Sequence, residues 1–371
     1  MIYRAFKEKK ISLLAMGCMR LPVNDGKINE EETSVMIDTA INSGINYFDT
    51  AWGYHGGESE RVVGKLLNKY PRKSYYVATK FPGYDLSNMG KVEEIFEKQL
   101  EKTGMEYFDF YLIHNVCEMN IDAYLNPEYG TYEYLMKQKE NGRIKHLGFS
   151  VHGNTETMNR FLAAYGDGME FCQIQLNWID YEFQRADEKI SILKERGIPV
   201  WVMEPLRGGK LAKETEEMKL FRDKHPDFSP VRWSYRFLKS IDGVTTVLSG
   251  ASSVEQMKEN ISLFSEDDPL SKDEIEDLLL LAREMSSGVP CTACRYCVHD
   301  CPMGINIPEI ISLYNEHTFT GGGFIAPMRI KSIPEDKRPS ACISCGKCKE
   351  LCPQGINIPG IMEDFAEKLG K

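Results

Sequence analysis

Up to about residue 285, short apolar runs alternate with longer segments whose apolar positions recur every three or four residues. That rhythm predicts strands and amphipathic helices in turn. Eight runs read as strands: 13–19, 47–49, 75–80, 108–114, 146–150, 171–177, 198–203 and 245–249. Helical patterns such as 31–43, 58–67, 92–103 and 254–264 fall between them. Eight strands with intervening helices in this length predict an α/β fold with a parallel sheet, a (β/α)8 TIM barrel. A further amphipathic segment, 271–284, opens with a helix-start pattern and leads through Ser286-Ser287-Gly288 into a stretch of different character. The boundary is therefore set between a barrel over 1–285 and a second domain over 286–371.

That second stretch holds eight of the chain's eleven cysteines, in two copies of one spacing. Cys291, Cys294, Cys297 and Cys301-Pro302 form one; Cys342, Cys345, Cys348 and Cys352-Pro353 form the other. The match continues through Cys301-Pro-Met-Gly-Ile-Asn-Ile-Pro308 and Cys352-Pro-Gln-Gly-Ile-Asn-Ile-Pro359, so the segment is an internal duplication. Thiolates at every third position wrap three corners of a cubane, while the fourth, before proline, serves the other cluster. Two [4Fe-4S] clusters are expected, one on Cys291, Cys294, Cys297 and Cys352, the other on Cys342, Cys345, Cys348 and Cys301. Structural zinc uses paired CxxC or Cys/His sets, and disulfides belong to small secreted domains; neither needs a third cysteine or a Cys-Pro ending. Cys18, Cys117 and Cys172 stand alone in apolar surroundings and read as buried, inert thiols.

The composition is that of an ordinary folded protein, and the formal net charge is −10. Each oxidised cubane with four thiolates adds about −2 more, a surface that discourages nucleic acid. Cationic edges on a redox partner would suit such a surface. No apolar run is long enough to cross a bilayer, and the first ten residues are too short and charged for a signal peptide. The expected setting is cytoplasmic, without membrane attachment.

In a barrel of this kind the chemistry sits where strands end at the C-terminal face. Strand two ends in Asp49 with Tyr54 in the following loop, strand three ends in Lys80, and strand four in His114. A tyrosine that gives up a proton near neutral pH needs its phenol made more acidic, which the Lys80 ammonium would do. Asp49 would in turn keep Lys80 charged.

Here the chain resembles the aldo-keto reductases, whose tetrad is Asp, Tyr, Lys and His in this order. Phe48-Asp-Thr-Ala-Trp-Gly-Tyr54 followed by Gly57-Glu-Ser-Glu60 and Gly64 is similar to that family's early motif, and Leu147-Gly-Phe-Ser150, Gln173, Pro205-Leu206 and 250–260 to its later ones. The resemblance covers roughly residues 1 to 265; the cysteine-rich tail resembles a branch carrying a ferredoxin-like domain. It implies hydride transfer between a nicotinamide, NAD(P)H, and a small-molecule carbonyl, with Tyr54 as acid, His114 orienting the carbonyl, and Lys80 and Asp49 tuning Tyr54. It places Gly17, Met19, Arg20, Ser150, Gln173, Met203, Pro205, Leu206, Gly250, Ser253, Gln256 and Asn260 at the cofactor.

Departures from the family pattern also gather at the cofactor. Val151 follows Ser150 where asparagine is common, and Met203 replaces the stacking tyrosine. Gly250, Ala251 and Gln256 stand where lysine, serine and arginine usually clamp a 2′-phosphate. That removes the main reason to prefer the phosphorylated dinucleotide, although Lys210 or Lys258 could compensate. Small residues and amides near Gly250 and Ser253 suit a diphosphate or a flavin phosphate. A hydride carries two electrons and a cubane passes one, so either a flavin such as FMN, in the barrel or on a partner, converts between them, or the clusters are structural. A ferredoxin or flavoprotein is the expected electron partner. The loop 115–130 with Tyr124 and Tyr129, together with Trp52 and Trp178, is expected either to line an aromatic substrate pocket or to pack the barrel rim. The rival reading is a nucleotide-binding redox sensor or electron relay without carbonyl turnover.

Overall fold

The computed structural model describes residues 1–286, 288–291 and 293–370; Ser287 of the expected linker lies outside them. All eight expected strands are present. β1 (Leu14–Gly17), β2 (Tyr47–Asp49), β3 (Tyr76–Phe81), β4 (Phe108–Val116), β5 (Ile144–Val151), β6 (Cys172–Gln175), β7 (Val200–Met203) and β8 (Val244–Ser249) pair in parallel and in sequence order into a closed barrel. β6 stops short of its expected end because the Asn177 side chain accepts from the Ile179 and Asp180 amides and turns the chain into a short helix. β4 runs past its expected end, with its register to β5 irregular between Ile113 and Val116.

The two-residue period of a strand then decides what fills the barrel and what caps it. Ala15, Tyr47, Ala78, Phe110, Leu112, Phe171, Trp201 and Leu248 pack into one core, closed from below by Phe6 and Ile11 of the antiparallel hairpin Tyr3–Phe6 and Lys9–Ser12. Each large side chain buried there contributes about 1.5–3 kcal/mol, so the barrel is a filled core and its chemistry is confined to the mouth. Two residues beyond Tyr47, Ala78 and Leu112, on the same inward face, stand Asp49, Lys80 and His114.

The chain divides into two compact units, Met1–Leu281 and Ala282–Lys371. This division falls inside the helix Lys272–Met285, slightly before the expected boundary. Among its described residues the second unit contains no strand. Helices Ile307–Thr320, Ile325–Ser332 and Ile358–Lys368 surround a core that includes Ile305, Ile310, Leu313, Ile330, Ile356 and Phe365. The duplication is structural: Asn306 and Asn357 both precede helices with proline in the first turn, and Gly304 and Gly355 share positive φ angles of 61° and 64°. Among the described residues no helix is long and apolar enough to cross a membrane.

Candidate active site and cysteine cavities

Lys80 and Asp49 are buried at 0% and 2% exposure, and Lys80 Nζ lies 2.5 Å from Asp49 Oδ1 and 2.8 Å from the Thr50 carbonyl. Burial alone would drive the ammonium towards neutrality; the Asp49 carboxylate and the Tyr54 hydroxyl reverse that and hold Lys80 above the usual lysine range. The strand that carries Lys80 is itself pinned, since Gln99 donates to the Lys80 carbonyl and to Glu60. Tyr54 comes from a loop in which His55 and Gly56 have positive φ, and that loop is held where His55 Nε2 accepts the Leu21 amide at 3.1 Å. The loop sets the Tyr54 ring 5.1 Å from the Lys80 ammonium and 6.3 Å from the His114 ring.

One expectation fails here. The Tyr54 phenol is not made more acidic overall: burial pushes it up to about 12, and the Lys80 charge, pulling the other way, does not overcome it. Burial likewise drives the His114 imidazole well below its usual range, with Lys80 adding to the effect. His114 is therefore neutral at physiological pH, and its buried Nδ1 has no hydrogen-bond partner.

The aromatic residues divide between rim and core. Trp178 is buried and donates to Ser234 Oγ at 2.9 Å, which makes it packing. Tyr124 is buried and its hydroxyl donates to the His114 carbonyl at 2.7 Å. Gly83 permits this, because a Cβ there would meet the Tyr124 hydroxyl at 2.1 Å. Trp52 lies under the Lys102 ammonium at 3.8 Å, and Tyr129 is 37% exposed. Tyr84 was not legible as a site residue: its ring meets His114 edge-on at 5.2 Å and its hydroxyl reaches over Gly53 beside Tyr54. Only the Gly53 in that turn hints at so close an approach.

The expected cofactor residues collect at the same mouth. Gly17 pairs with Asp49 across β1 and β2, and Gln173 pairs with Ser150 across β6 and β5. Ser150 Oγ accepts the Asn115 amide at 2.8 Å, which leaves its hydroxyl proton to donate elsewhere. Gln173 Oε1 and Asp49 Oδ2 are buried acceptors without partners. Met203 is the last residue of β7, and Pro205 and Leu206 follow it into a turn with positive φ at Glu204, Arg207, Gly208 and Gly209. Arg20 reaches Glu204 at 3.4 Å and crosses both Gly208 and Gly250, each of which would bring a Cβ within 3.2 Å of its side chain. Met19 is 53% exposed. Ser253 caps the helix Val254–Leu263 by accepting from Gln256, whose own side chain accepts the Ser252 amide. Asn260 is committed elsewhere in part, its amide donating to Ser249 Oγ at 2.8 Å.

In the second unit, Cys291, Cys294, Cys297 and Cys352 line one cavity, and Cys301, Cys342, Cys345 and Cys348 line another. Each cavity thus takes three thiols from one copy and the fourth from the other. The loops turn alike, with positive φ at Ala293 and Arg295 in the first and at Ser344 and Gly346 in the second. The Ser344 amide donates to Cys342 Sγ at 3.4 Å. Burial, with Cys291, Cys294 and Cys348 nearby, pushes the Cys297 thiol up to about 11, and burial beside Cys342, Cys345 and Cys301 raises Cys348. Gathered thiols of this kind are stabilised as thiolates by a cationic iron core. Among the described residues no three His, Cys, Asp or Glu side chains converge on a point for one metal ion; a cubane instead takes its thiolates at separate corners. The lone Cys18 and Cys172 are buried, with thiols raised by burial, and Cys117 is buried as well.

Residues 13–279 match the model of the aldo/keto reductase family. The chain belongs to that family. Residues 290–356 match a 4Fe-4S dicluster domain, which makes the chain an iron-sulfur oxidoreductase of aldo-keto reductase type. Relatives include the uncharacterized oxidoreductase YqkF of Bacillus subtilis, 26% identical over 68% of this chain and 86% of the relative, and the NADH-specific methylglyoxal reductase of Escherichia coli, 24% identical over 68% and 90%. Among solved structures, the holo form of aldo-keto reductase AKR11C1 from Bacillus halodurans superposes with a TM-score of 0.64 at 25% identity, over 76% of this chain and 96% of that one.

Proposed function

We propose that the barrel reduces a small-molecule carbonyl, or oxidises the corresponding alcohol, with Tyr54 as the proton donor. The observation that carries this reading is the buried Lys80–Asp49 pair set against Tyr54. Because burial keeps the phenol protonated, Tyr54 is ready as an acid, and the ammonium acts on the phenolate that develops as the proton leaves. Neutral His114 can donate an N–H to the carbonyl oxygen without adding charge.

A nicotinamide fits the donor set, and when bound it supplies or takes a hydride. The unpartnered acceptors Asp49 Oδ2 and Gln173 Oε1 suit a ribose hydroxyl and a carboxamide N–H, with the Ser150 hydroxyl as a donor beside them. Met203 would lie against the ring, and Gly17, Met19, Arg20, Pro205, Leu206, Gly250, Ser253, Gln256 and Asn260 would follow the rest of the dinucleotide. The relative named as NADH-specific agrees with a site lacking a cationic clamp at Gly250, Ala251 and Gln256. In the second unit the two cysteine sets would hold two [4Fe-4S] clusters, each passing one electron. A flavin, in the barrel or on a flavoprotein partner, would convert between paired and single electrons, and a ferredoxin partner would exchange single electrons with the clusters. Cysteines in this number, none of them in a disulfide, suit a reducing compartment, which supports a cytoplasmic setting.

Replacing Tyr54 by phenylalanine tests the reading. The expected outcome is a loss of kcat/KM for aldehydes by about a hundredfold or more, with dinucleotide affinity by calorimetry unchanged. Full carbonyl turnover in that variant would remove Tyr54 from the acid role.

A further inference from the structure

Of the eight motif cysteines only Cys294 and Cys345 are exposed, the second cysteine of each copy. Cys345 and the neighbouring Ile343, which is 60% exposed, both line the cavity with Cys301, Cys342 and Cys348, so at this loop the cavity's own lining reaches the surface. Ser344 and Gly346 turn this loop with φ of 53° and 80°. Lys347 and Lys349 stand exposed on it, and among the described residues neither forms an ion pair. Loop 342–350 thus presents two cations against one acid, Glu350, on a chain whose formal charge is −10. The Cys294 edge differs, since segment 291–300 carries one exposed arginine, Arg295, and one exposed acid, Asp300.

Electron tunnelling weakens steeply with distance, so a carrier docks where least protein intervenes, and complementary charge steers it there. We propose that Ile343, Lys347 and Lys349 form the docking face for a small one-electron carrier protein whose own redox centre is ringed by acidic residues. This reverses the expectation of a cationic partner drawn from net charge. It rests on the reading that the adjoining cavity holds a cluster. In each transfer one electron leaves the reduced carrier, which is oxidised, and enters the cluster, which is reduced; no bond forms or breaks and no proton moves.

The test uses the full chain, purified anaerobically, with acidic flavodoxin and basic cytochrome c as probes. Interferometry over a salt series should show flavodoxin binding the more tightly at low salt. The double variant Lys347→Glu, Lys349→Glu should weaken it about tenfold or more, and the difference should vanish near roughly 1 M salt, where charges are screened beyond about 3 Å. Arg295→Glu should change the affinity by less than about threefold. Tighter binding of cytochrome c, absence of flavodoxin binding, or an unchanged double variant would overturn the proposal. Iron content and bleaching by dithionite are read on the same samples. Full iron with unchanged affinity sinks the docking face alone, whereas absent iron sinks the cluster reading beneath it.

Discussion

Replacing Lys80 by methionine removes an ammonium that lies 5.1 Å from the centre of the Tyr54 ring and 2.5 Å from Asp49. Two unit charges about 5 Å apart interact by about 3 kcal/mol at an effective dielectric of about 20. That is about two pKa units on the phenol, or a factor of about two hundred in rate if the full phenolate charge is felt in the transition state. The phenol, already raised to about 12 by burial, would rise further. The same substitution leaves Asp49 buried with neither oxygen partnered by a cation, and breaking such a pair costs about 3–5 kcal/mol of stability. A poorly folded single variant would therefore blur the kinetic result. The double variant Asp49→Asn, Lys80→Met separates the two effects, because it removes both charges. It should recover most of the stability in guanidinium unfolding while kcat/KM for a simple aldehyde stays down by about a hundredfold. A single variant that keeps more than a third of its kcat/KM, or a double variant that regains it, would refute the electrostatic role assigned to Lys80.

Anaerobically purified protein should carry about eight iron atoms per chain, and Cys301→Ser should damage the cluster built on Cys342, Cys345 and Cys348 more than the one nearer in sequence; four irons, or stoichiometric zinc, would contradict this. Calorimetry should find less than a hundredfold preference for the 2′-phosphorylated dinucleotide, because two charge-assisted contacts at about 1.5–3 kcal/mol each are missing at Gly250, Ala251 and Gln256. Stability should fall with acid as follows. His114, depressed by burial, and His152, pushed down to about 4 by burial, stay neutral in the fold while unfolded imidazoles take up protons below about 6.5. Urea midpoints should thus hold above pH 6.5 and decline between about 6.5 and 4, and His152→Leu should flatten that decline; an unchanged slope would count against it.

The barrel and its polar strand ends were legible because a strand's period of two, once an inward Tyr47 or Ala78 is recognised, dictates that Asp49 and Lys80 share the face. Pairing of the cysteines across copies was legible from spacing alone. Sign errors arose where burial decides the outcome: Lys80 was rightly expected to favour the Tyr54 phenolate, but a sequence does not weigh that charge against desolvation. Trp178 and Tyr124 show the same limit, since one aromatic packs against Ser234 and the other supports the His114 backbone. The opening hairpin escaped notice because Lys7-Glu8-Lys9-Lys10 reads as a solvated turn, although Phe6 beside it closes the core. The helices between the cysteine motifs are not legible from cysteine spacing, because their signal lies in the apolar face that carries Ile310 and Leu313.

The exchange of a fourth thiol between cavities has a consequence for how the protein is made. A ribosome delivers Cys291, Cys294 and Cys297 well before Cys352, yet the cavity that they line takes its fourth thiol from Cys352 and part of its wall from Ile356 and Ile358 beyond it. Three thiols facing an open side are what an emerging chain offers until residue 352 has been released, and they are open to oxidation or to the wrong metal in the meantime. Cluster delivery is then tied to emergence of the second motif, and a stop anywhere between the two motifs would forfeit both sites at once.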